Sequence, residues 1–195
     1  VYSLAEERKT ETIQNILIYL SEYFRCIFRN EKELELFPKE LRLITGYIYM
    51  VSIRYENLVE LSVDLDPEIS FVRTPPLLIH NFIENAVKYG FRQGRPLLIS
   101  LEGRYNDGWV VFQIMDDGNG MESKMLEINQ RMFRGEWVPE DKNKHLGLYN
   151  SYKRLKYFYG DEASIEVESE LGAMSCFTIS FPYDLEVDDE SFDIE

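Results

Sequence analysis

The sequence predicts an α+β protein: a two-layer α/β sandwich with a mixed, mostly antiparallel sheet and helices on one face, preceded by an N-terminal helical hairpin. Apolar residues recur every three or four positions in two segments of residues 1–58, which is typical of helices. After Asn57 the apolar period changes to two, which is typical of strands. The last three strand-like segments do not alternate regularly with helices, so a doubly wound parallel sheet is disfavoured.

Two amphipathic segments make up the predicted hairpin, residues 1–58. The first has one apolar seam, formed by Ile13, Ile16, Leu17, Leu20, Phe24 and Ile27. The second follows Pro38 and has a seam formed by Leu41, Ile44, Ile48, Val51 and Tyr55. Because an apolar seam needs a partner, we expect the hairpin either to dimerise or to cap the following domain, and the pattern favours neither.

Residues 59–183 form the second predicted domain. Its strand-like segments are 61–65, 96–102, 108–115, 163–169 and 175–181, and its helical segments are 75–91 and 148–159. The final segment, residues 184–195, contains seven acidic residues and no basic residue, which predicts a solvated acidic tail.

Composition excludes some classes of partner. The formal net charge of −14 would repel a phosphate backbone, so we expect no nucleic acid partner. No uncharged apolar stretch reaches the ~18 residues that a membrane span needs, so we expect no membrane contact by this chain. Cys26 and Cys176 lie far apart, without metal-ligand spacing, which is typical of a reducing cytoplasm. The start at Val1, without a methionine, predicts a piece of a longer protein.

The helical segment 75–91 divides into two halves at the helical period. One half is apolar and the other is polar, and the polar half contains His80, Asn81, Glu84, Asn85 and Lys88. The polar half of a helix is normally only exposed to solvent. Asparagine, however, has a low helix propensity, so two asparagines within one helix are unexpected for a purely solvated surface. A carboxylate, an amide oxygen and an ammonium group within one turn suit a magnesium-bound polyphosphate.

Two glycine-containing segments accompany this helix. In the first, MDDGNGM, Asp116 ends an apolar strand, and Gly118 and Gly120 permit sharp turns. The alternative is a plain loop between a strand and a helix. The spacing of the acidic residues excludes a calcium-binding loop. In the second, Gly147 begins a helix, where backbone amides can bind phosphate, although any helix could begin this way. The chain has no GxxxxGK[ST] and no GxGxxG, which excludes P-loop and Rossmann sites.

Taken in order, these segments resemble the asparagine box and two glycine boxes of the Bergerat-fold ATPases, and more closely those of sensor histidine kinases of the YesM and LytS type. That type reads PxLxLQPLVENAxKHG, DNGxGM and GxGLxNxxxRLxxxYG. This chain reads PPLLIHNFIENAVKYG, DDGNGM and HLGLYNSYKRLKYFYG. The flanking segments are also similar, so the resemblance covers nearly the whole chain.

The resemblance implies roles for individual residues in binding ATP and Mg²⁺. Asn85 would coordinate magnesium, Glu84 would polarise or orient the attacking group, and Lys88 would lie near the phosphates. Asp116 would accept a hydrogen bond from the adenine amino group, with Gly118 and Gly120 letting the ring approach the backbone. The remaining nucleotide-binding residues would be Asn81, Met121, Gly147, Leu148 and Asn150, and residues 122–144 would form a mobile lid.

The chain departs from the family pattern at several positions. His145 replaces a glycine at the start of the second glycine box, and His80 and Asn81 replace Gln-Pro. Tyr89 replaces a histidine, and in the closing motif Met174 and Ser175 replace a glycine and a threonine. We interpret His80 as a helix-surface residue and His145 as a lid residue, neither of them a metal ligand or phosphate acceptor.

The resemblance also implies an activity and partners. It implies a homodimeric, cytoplasmic portion of a membrane-anchored bacterial sensor that transfers the ATP γ-phosphoryl group to a histidine and then to a response regulator, as in two-component signal transduction. The family's PHF-containing acceptor motif is missing here, so the acceptor histidine is expected upstream of this chain. Two alternatives remain: an ATP-hydrolysing conformational switch, and a degenerate, non-catalytic dimerisation or interaction module.

Overall fold

The structure, a computed structural model, describes residues 10–28, 33–139 and 146–184. The helices are α1 (Thr10–Ile27), α2 (Phe37–Arg54), α3 (His80–Asn85), α4 (Ser123–Phe133) and α5 (Leu146–Tyr159). The strands are β1 (Glu35–Leu36), β2 (Val59–Leu65), β3 (Arg73–Thr74), β4 (Leu97–Asn106), β5 (Trp109–Asp116), β6 (Ser164–Glu170) and β7 (Met174–Pro182). Pro67–Phe71 forms a 3-10 helix, and Ala86–Gly90 continues α3 as a π-helical turn. The predicted tail after Asp184 lies outside the described residues.

A five-stranded sheet in the order β2-β4-β5-β7-β6 is the centre of the fold. β2 is parallel to β4, and the other three neighbouring pairs are antiparallel, which confirms the predicted mixed, mostly antiparallel sheet. Alternate residues of β5 are buried, so its pattern matches a strand with one covered face. This central strand ends at Asp116, which pairs with Ile99 of β4 and Ser175 of β7.

Aromatic side chains fill the layer between the helices and the sheet. The ring of Phe82 in α3 meets that of Phe177 in β7 edge-on at 5.1 Å, and Phe133 of α4 contacts both rings. Tyr159 of α5 stacks on Phe181 at 4.3 Å. Rings in such geometries add attraction beyond the area they bury, so α3 is held firmly against the sheet.

The hairpin packs on the second domain. α1 lies close to α2 because Gly46 leaves room for a ring: a Cβ at this position would lie 2.7 Å from Tyr19 Cδ2. α2 in turn places Phe37 in the core, with its ring 4.6 Å from that of Phe112. Of the two predicted roles, capping is therefore observed. Dimerisation stays a prediction.

Two predicted segments are wrong in part. The helix expected from Pro75 begins at His80, because residues 76–79 form a turn in which Leu77 has a φ of 60°. The expected lid, residues 122–144, contains α4, which buries Met132 and Phe133 in the core. Leu126 and Phe133 lie seven residues apart, so the sequence did contain a helical signal there. In the described part of the chain, no helix is both long and apolar enough to span a membrane.

Candidate functional site

The first turn of α3 is joined to the start of α5. Asn81 Nδ2 donates a hydrogen bond of 2.8 Å to Ser151 Oγ and one of 3.5 Å to the Gly147 carbonyl oxygen. Ser151 is fully buried, so its hydroxyl is a fixed acceptor. The predicted asparagine on α3 and the predicted glycine of α5 are therefore neighbours.

The last turn of α3 packs on the loop after β5. A Cβ on Gly90 would lie 2.8 Å from Asp116 Oδ1, which shows how closely the helix end approaches this carboxylate. Asn119 Nδ2 donates a 2.7 Å hydrogen bond to the Tyr89 carbonyl oxygen. Arg92 holds the same loop by donating to the Gly118 carbonyl oxygen at 3.0 Å and to Asn119 Oδ1. The first glycine segment is therefore fixed beside the helix end.

These contacts place the two glycine segments at opposite ends of one helix. The ten residues from Asn81 to Gly90 span about 13 Å along the helix axis. Asn85 lies between the two ends and is half-buried, and its side chain makes no hydrogen bond to the residues that the structure describes. Glu84 and Lys88 are exposed, and Lys88 Nζ lies 4.9 Å from the centroid of the Tyr89 ring. We call Asn81, Glu84, Asn85 and Lys88 the polar side of α3.

Asp116 is a buried carboxylate at the end of the central strand. Its side chain is 4% exposed, and its Oδ1 atom accepts a 3.0 Å hydrogen bond from the Gly118 amide. Burial raises the pKa of Asp116 to about 6, the Gly118 hydrogen bond opposes this shift, and the neighbouring charge of Asp117 adds to it. The group is thus ionised at neutral pH and positioned to accept a hydrogen bond.

The two glycines of the first segment have a packing role. A Cβ on Gly118 would lie 2.4 Å from the Gly90 Cα atom, and one on Gly120 would lie 2.0 Å from the Glu170 carbonyl oxygen. Gly120 also has a φ of 61°, which only glycine adopts readily. These glycines therefore allow the first loop to pack closely on Gly90 and Glu170, and the approach of an adenine ring to this backbone stays a prediction. At Gly147, by contrast, an added Cβ would have no atom within 4 Å among the described residues, apart from its chain neighbours and its own helix backbone.

The remaining predicted residues differ in exposure. The Leu148 side chain is 6% exposed and belongs to the core, so only its backbone amide can reach a ligand. Asn150 is exposed on α5. Met121 is half-buried, and its amide donates to Ser169 Oγ at 2.8 Å.

The prediction that His80 lies on the helix surface is wrong, and His145 lies outside the described residues. The His80 side chain is 1% exposed, because α1 and α2 cover it with the rings of Tyr23 at 5.4 Å and Tyr47 at 5.2 Å. Burial lowers the pKa of His80 to about 4, so the imidazole is neutral. The helical projection could not reveal this, because the covering side chains come from the hairpin.

Two cavities occur elsewhere in the described residues. One, of about 410 Å³, lies beside Tyr105 and Tyr183, and the other, of about 290 Å³, lies between α1, α2 and the turn at Leu77. Neither is lined by the polar side of α3 or by Asp116. These two cavities are therefore separate from the candidate site.

Three residues that shape this site were not among those predicted from the sequence. Ser151 had a detectable signal, because it lies one helical turn after Gly147. Arg92 and Glu40 had none, because both act on segments distant in sequence. Glu40 of α2 accepts hydrogen bonds from the amides of α3 at Ile79 and His80.

The chain is similar in sequence to bacterial sensor proteins. The chain is 29% identical over 175 residues to the sensor protein LytS of Bacillus cereus, and 22% identical over 180 residues to the sensor histidine kinase YesM of Bacillus subtilis. These matches cover 88% and 92% of this chain but only 29% of either relative. This chain therefore corresponds to less than a third of the length of these relatives.

Solved structures show the same fold. The catalytic domain of the histidine kinase ThkA superposes with a TM-score of 0.57 at 15% identity, covering 79% of this chain and 97% of that domain. The histidine kinase domain of the blue-light-activated kinase of Erythrobacter litoralis superposes with a TM-score of 0.55 at 16% identity, covering 92% of this chain and 77% of that one. At these identities the likeness is evidence of fold alone.

A family pattern identifies the chain more directly. The pattern described as "Histidine kinase-, DNA gyrase B-, and HSP90-like ATPase" matches residues 74–185, more than half of the 195 residues, and this span contains all three site segments. The chain belongs to the family of histidine kinase-, DNA gyrase B- and HSP90-like ATPases.

Proposed function

We propose that this chain is the ATP-binding catalytic portion of a sensor histidine kinase. The longer protein would transfer the γ-phosphoryl group of ATP to a histidine outside this chain, from which a response regulator would receive it. The observation that carries the proposal is the placement of the polar side of α3 between the Asp116 loop and the start of α5. The relatives named as sensors support the kinase assignment over other ATPases of the family.

The geometry supports one orientation of the nucleotide. Asp116 would accept a hydrogen bond from the adenine amino group, because a buried ionised carboxylate is a strong acceptor. The phosphates would lie toward Gly147, where the first backbone amides of α5 have no partner within their helix. Lys88 is exposed and would reach the phosphates by leaving the Tyr89 ring.

The residues present fit a magnesium ion. Asn85 has an amide oxygen without a partner among the described residues, and Glu84 is exposed one residue before it. Mg²⁺ takes oxygen ligands and keeps several waters beside the substrate phosphates, so the Asn85 amide oxygen would be one ligand among these. When bound, the ion would neutralise phosphate charge; Asn85 would hold it and Glu84 would orient the attacking group.

The acceptor histidine belongs outside this chain in the proposal. His80 is buried between two tyrosine rings, and an acceptor must be reachable by the γ-phosphate. The PHF-containing motif of the family is missing from the sequence. Homodimerisation through the hairpin and attachment to a membrane-anchored sensor are parts of the same proposal.

Phosphotransfer in a longer version of the protein, with its upstream segment, tests the proposal. With labelled ATP and Mg²⁺ we expect acid-labile, base-stable label on the protein, and a loss of at least about tenfold in Asn85→Ala. Asn15→Ala is the matched control, because Asn15 is exposed on α1. His145→Ala should keep the label.

Other outcomes would contradict the proposal. Steady phosphate release without protein label would indicate an ATP-hydrolysing switch. Neither label nor nucleotide binding would indicate a non-catalytic interaction module. Equal labelling of Asn85→Ala and Asn15→Ala would remove Asn85 from the site.

A further inference from the structure

Glu40 of α2 is a buried carboxylate that contacts the start of α3. Its side chain is 3% exposed. Its Oε1 atom accepts hydrogen bonds from the Ile79 amide at 2.6 Å and the His80 amide at 2.9 Å. Its Oε2 atom accepts one from Thr74 Oγ1 at 2.9 Å. A side chain of the hairpin therefore accepts hydrogen bonds from backbone amides at the start of α3, the helix that contains the candidate site.

These contacts replace a cap that α3 lacks. The first amides of a helix have no partner within the helix, and the residue before the helix usually supplies one. Here that residue is Ile79, which has no side-chain acceptor. The amides of Asn81 and Phe82 bond to nearby carbonyl oxygens, which leaves the amides of Ile79 and His80 to Glu40. The cap thus comes from a different element, about 40 residues earlier in the chain.

The turn before α3 is held from a second side by α5. Arg154 Nη1 donates a 2.6 Å hydrogen bond to the Pro76 carbonyl oxygen. Between these anchors Leu77 has a φ of 60°, a left-handed conformation that a leucine rarely adopts and that its surroundings must maintain. The turn is therefore fixed jointly by α2 of the hairpin and by α5.

The electrostatics of Glu40 agree with this position. Burial raises the pKa of Glu40 to about 7, whereas its three hydrogen bonds and the charge of Arg154 act in the opposite direction. A buried carboxylate is costly unless it is well hydrogen-bonded. The hydrogen bonds from Thr74 and from the start of α3 offset part of the free-energy cost of burying the Glu40 carboxylate.

The cap sets the placement of the residues that follow it. Asn81 comes directly after the capped His80 amide, and Glu84 and Asn85 lie one helical turn further on. We propose that Glu40 is a positioning residue, through which the helical hairpin sets the orientation of the α3 side chains that bind the nucleotide. A displacement of α2 would withdraw the carboxylate from α3 and loosen its first turn. The inference rests on the proposed ATP-binding function of α3.

Three variants of the whole chain test the proposal by calorimetric titration with ATP and Mg²⁺. Glu40→Ala removes the cap, and we expect about tenfold weaker ATP binding. Glu40→Gln should bind ATP with an affinity within about threefold of that of the unaltered chain. The amide oxygen of the glutamine can accept both hydrogen bonds from α3, and its NH₂ group can donate to the Thr74 hydroxyl. Thr74→Val is the matched control: it removes the third hydrogen bond of the same carboxylate and leaves the α3 cap intact.

The outcomes separate this inference from the function on which it rests. Binding by Glu40→Ala that is as tight as binding by Thr74→Val would overturn the positioning role and leave the ATP site standing. No binding by the unaltered chain would overturn both. If Glu40→Ala does not fold, Glu40→Asp takes its place, because it keeps the charge but is too short to reach both amides. Equal affinity of Glu40→Asp and Glu40→Gln would then contradict the proposal.

Discussion

Asp116 shows how one buried residue can set the conditions for binding. Its carboxylate is held against Gly90 and the Gly118 amide, in a place where burial favours the neutral form. An ionised carboxylate accepts hydrogen bonds strongly, whereas a protonated one has lost part of its acceptor capacity. The protonation state of Asp116 should therefore control adenine binding close to neutral pH.

Adenosine binding should weaken as the pH falls through the pKa of Asp116, about 6. A group with this pKa is almost fully ionised at pH 7.5 and mostly protonated at pH 5, so we expect about tenfold weaker binding at the lower pH. Adenosine is the appropriate probe, because phosphate groups themselves titrate near pH 6. Asp116→Asn is the control, since its side chain does not titrate; the same pH dependence in both proteins would exclude Asp116 as the cause.

At the scale of elements, the glycines of the two loops should behave differently. Gly120→Ala forces a Cβ to within 2.0 Å of the Glu170 carbonyl oxygen at a φ of 61°, so we expect a loss of about 2 kcal/mol or more in the free energy of unfolding. Gly147→Ala meets no atom within 4 Å from another element of the described chain, and it lies in a helix, where alanine is favoured by up to about 1 kcal/mol.

Gly147→Ala is expected to keep or raise stability and to weaken ATP binding, because the added methyl group would lie where phosphate approaches. Urea unfolding and calorimetric titration measure the two effects separately. Unchanged ATP affinity in Gly147→Ala would mean that the start of α5 does not contact the phosphates. Unchanged stability in Gly120→Ala would contradict the described packing of the first loop.

The elements also show how far sequence reasoning extends. Strands were found within a few residues, because alternation with period two depends only on which face is buried. The start of α3 was missed by five residues, since it is set by Glu40 and Arg154, which are remote in sequence. α4 was mistaken for lid because charged residues on its exposed side obscured the apolar positions that reach the core. Local pattern thus predicts elements, and tertiary contacts decide their ends.

For the molecule as a whole, sequence predicted the meeting of three segments but not the contacts that bring them together. Asn81, Asp116 and Gly147 were all expected at one site. The bond from Asn81 to Ser151 and the approach of Gly90 to Asp116 are the contacts that join them. The hairpin proved to be part of this assembly, because Glu40 reaches α3 and Phe37 reaches the core. The whole chain has a net charge of −14, which repels a polyanion. Local groups such as Lys88 and backbone amides must therefore attract the phosphates.

The central claim is that one nucleotide lies along the polar side of α3, between the Asp116 loop and the start of α5. Backbone amide NMR spectra of the chain, recorded while ATP and Mg²⁺ are added, test it most directly. The account predicts saturable shifts concentrated in residues 81–90, 116–121 and 147–150. Shifts confined to the cavities near Tyr183 or between α1 and α2, or no saturable shifts at millimolar ATP, would contradict it.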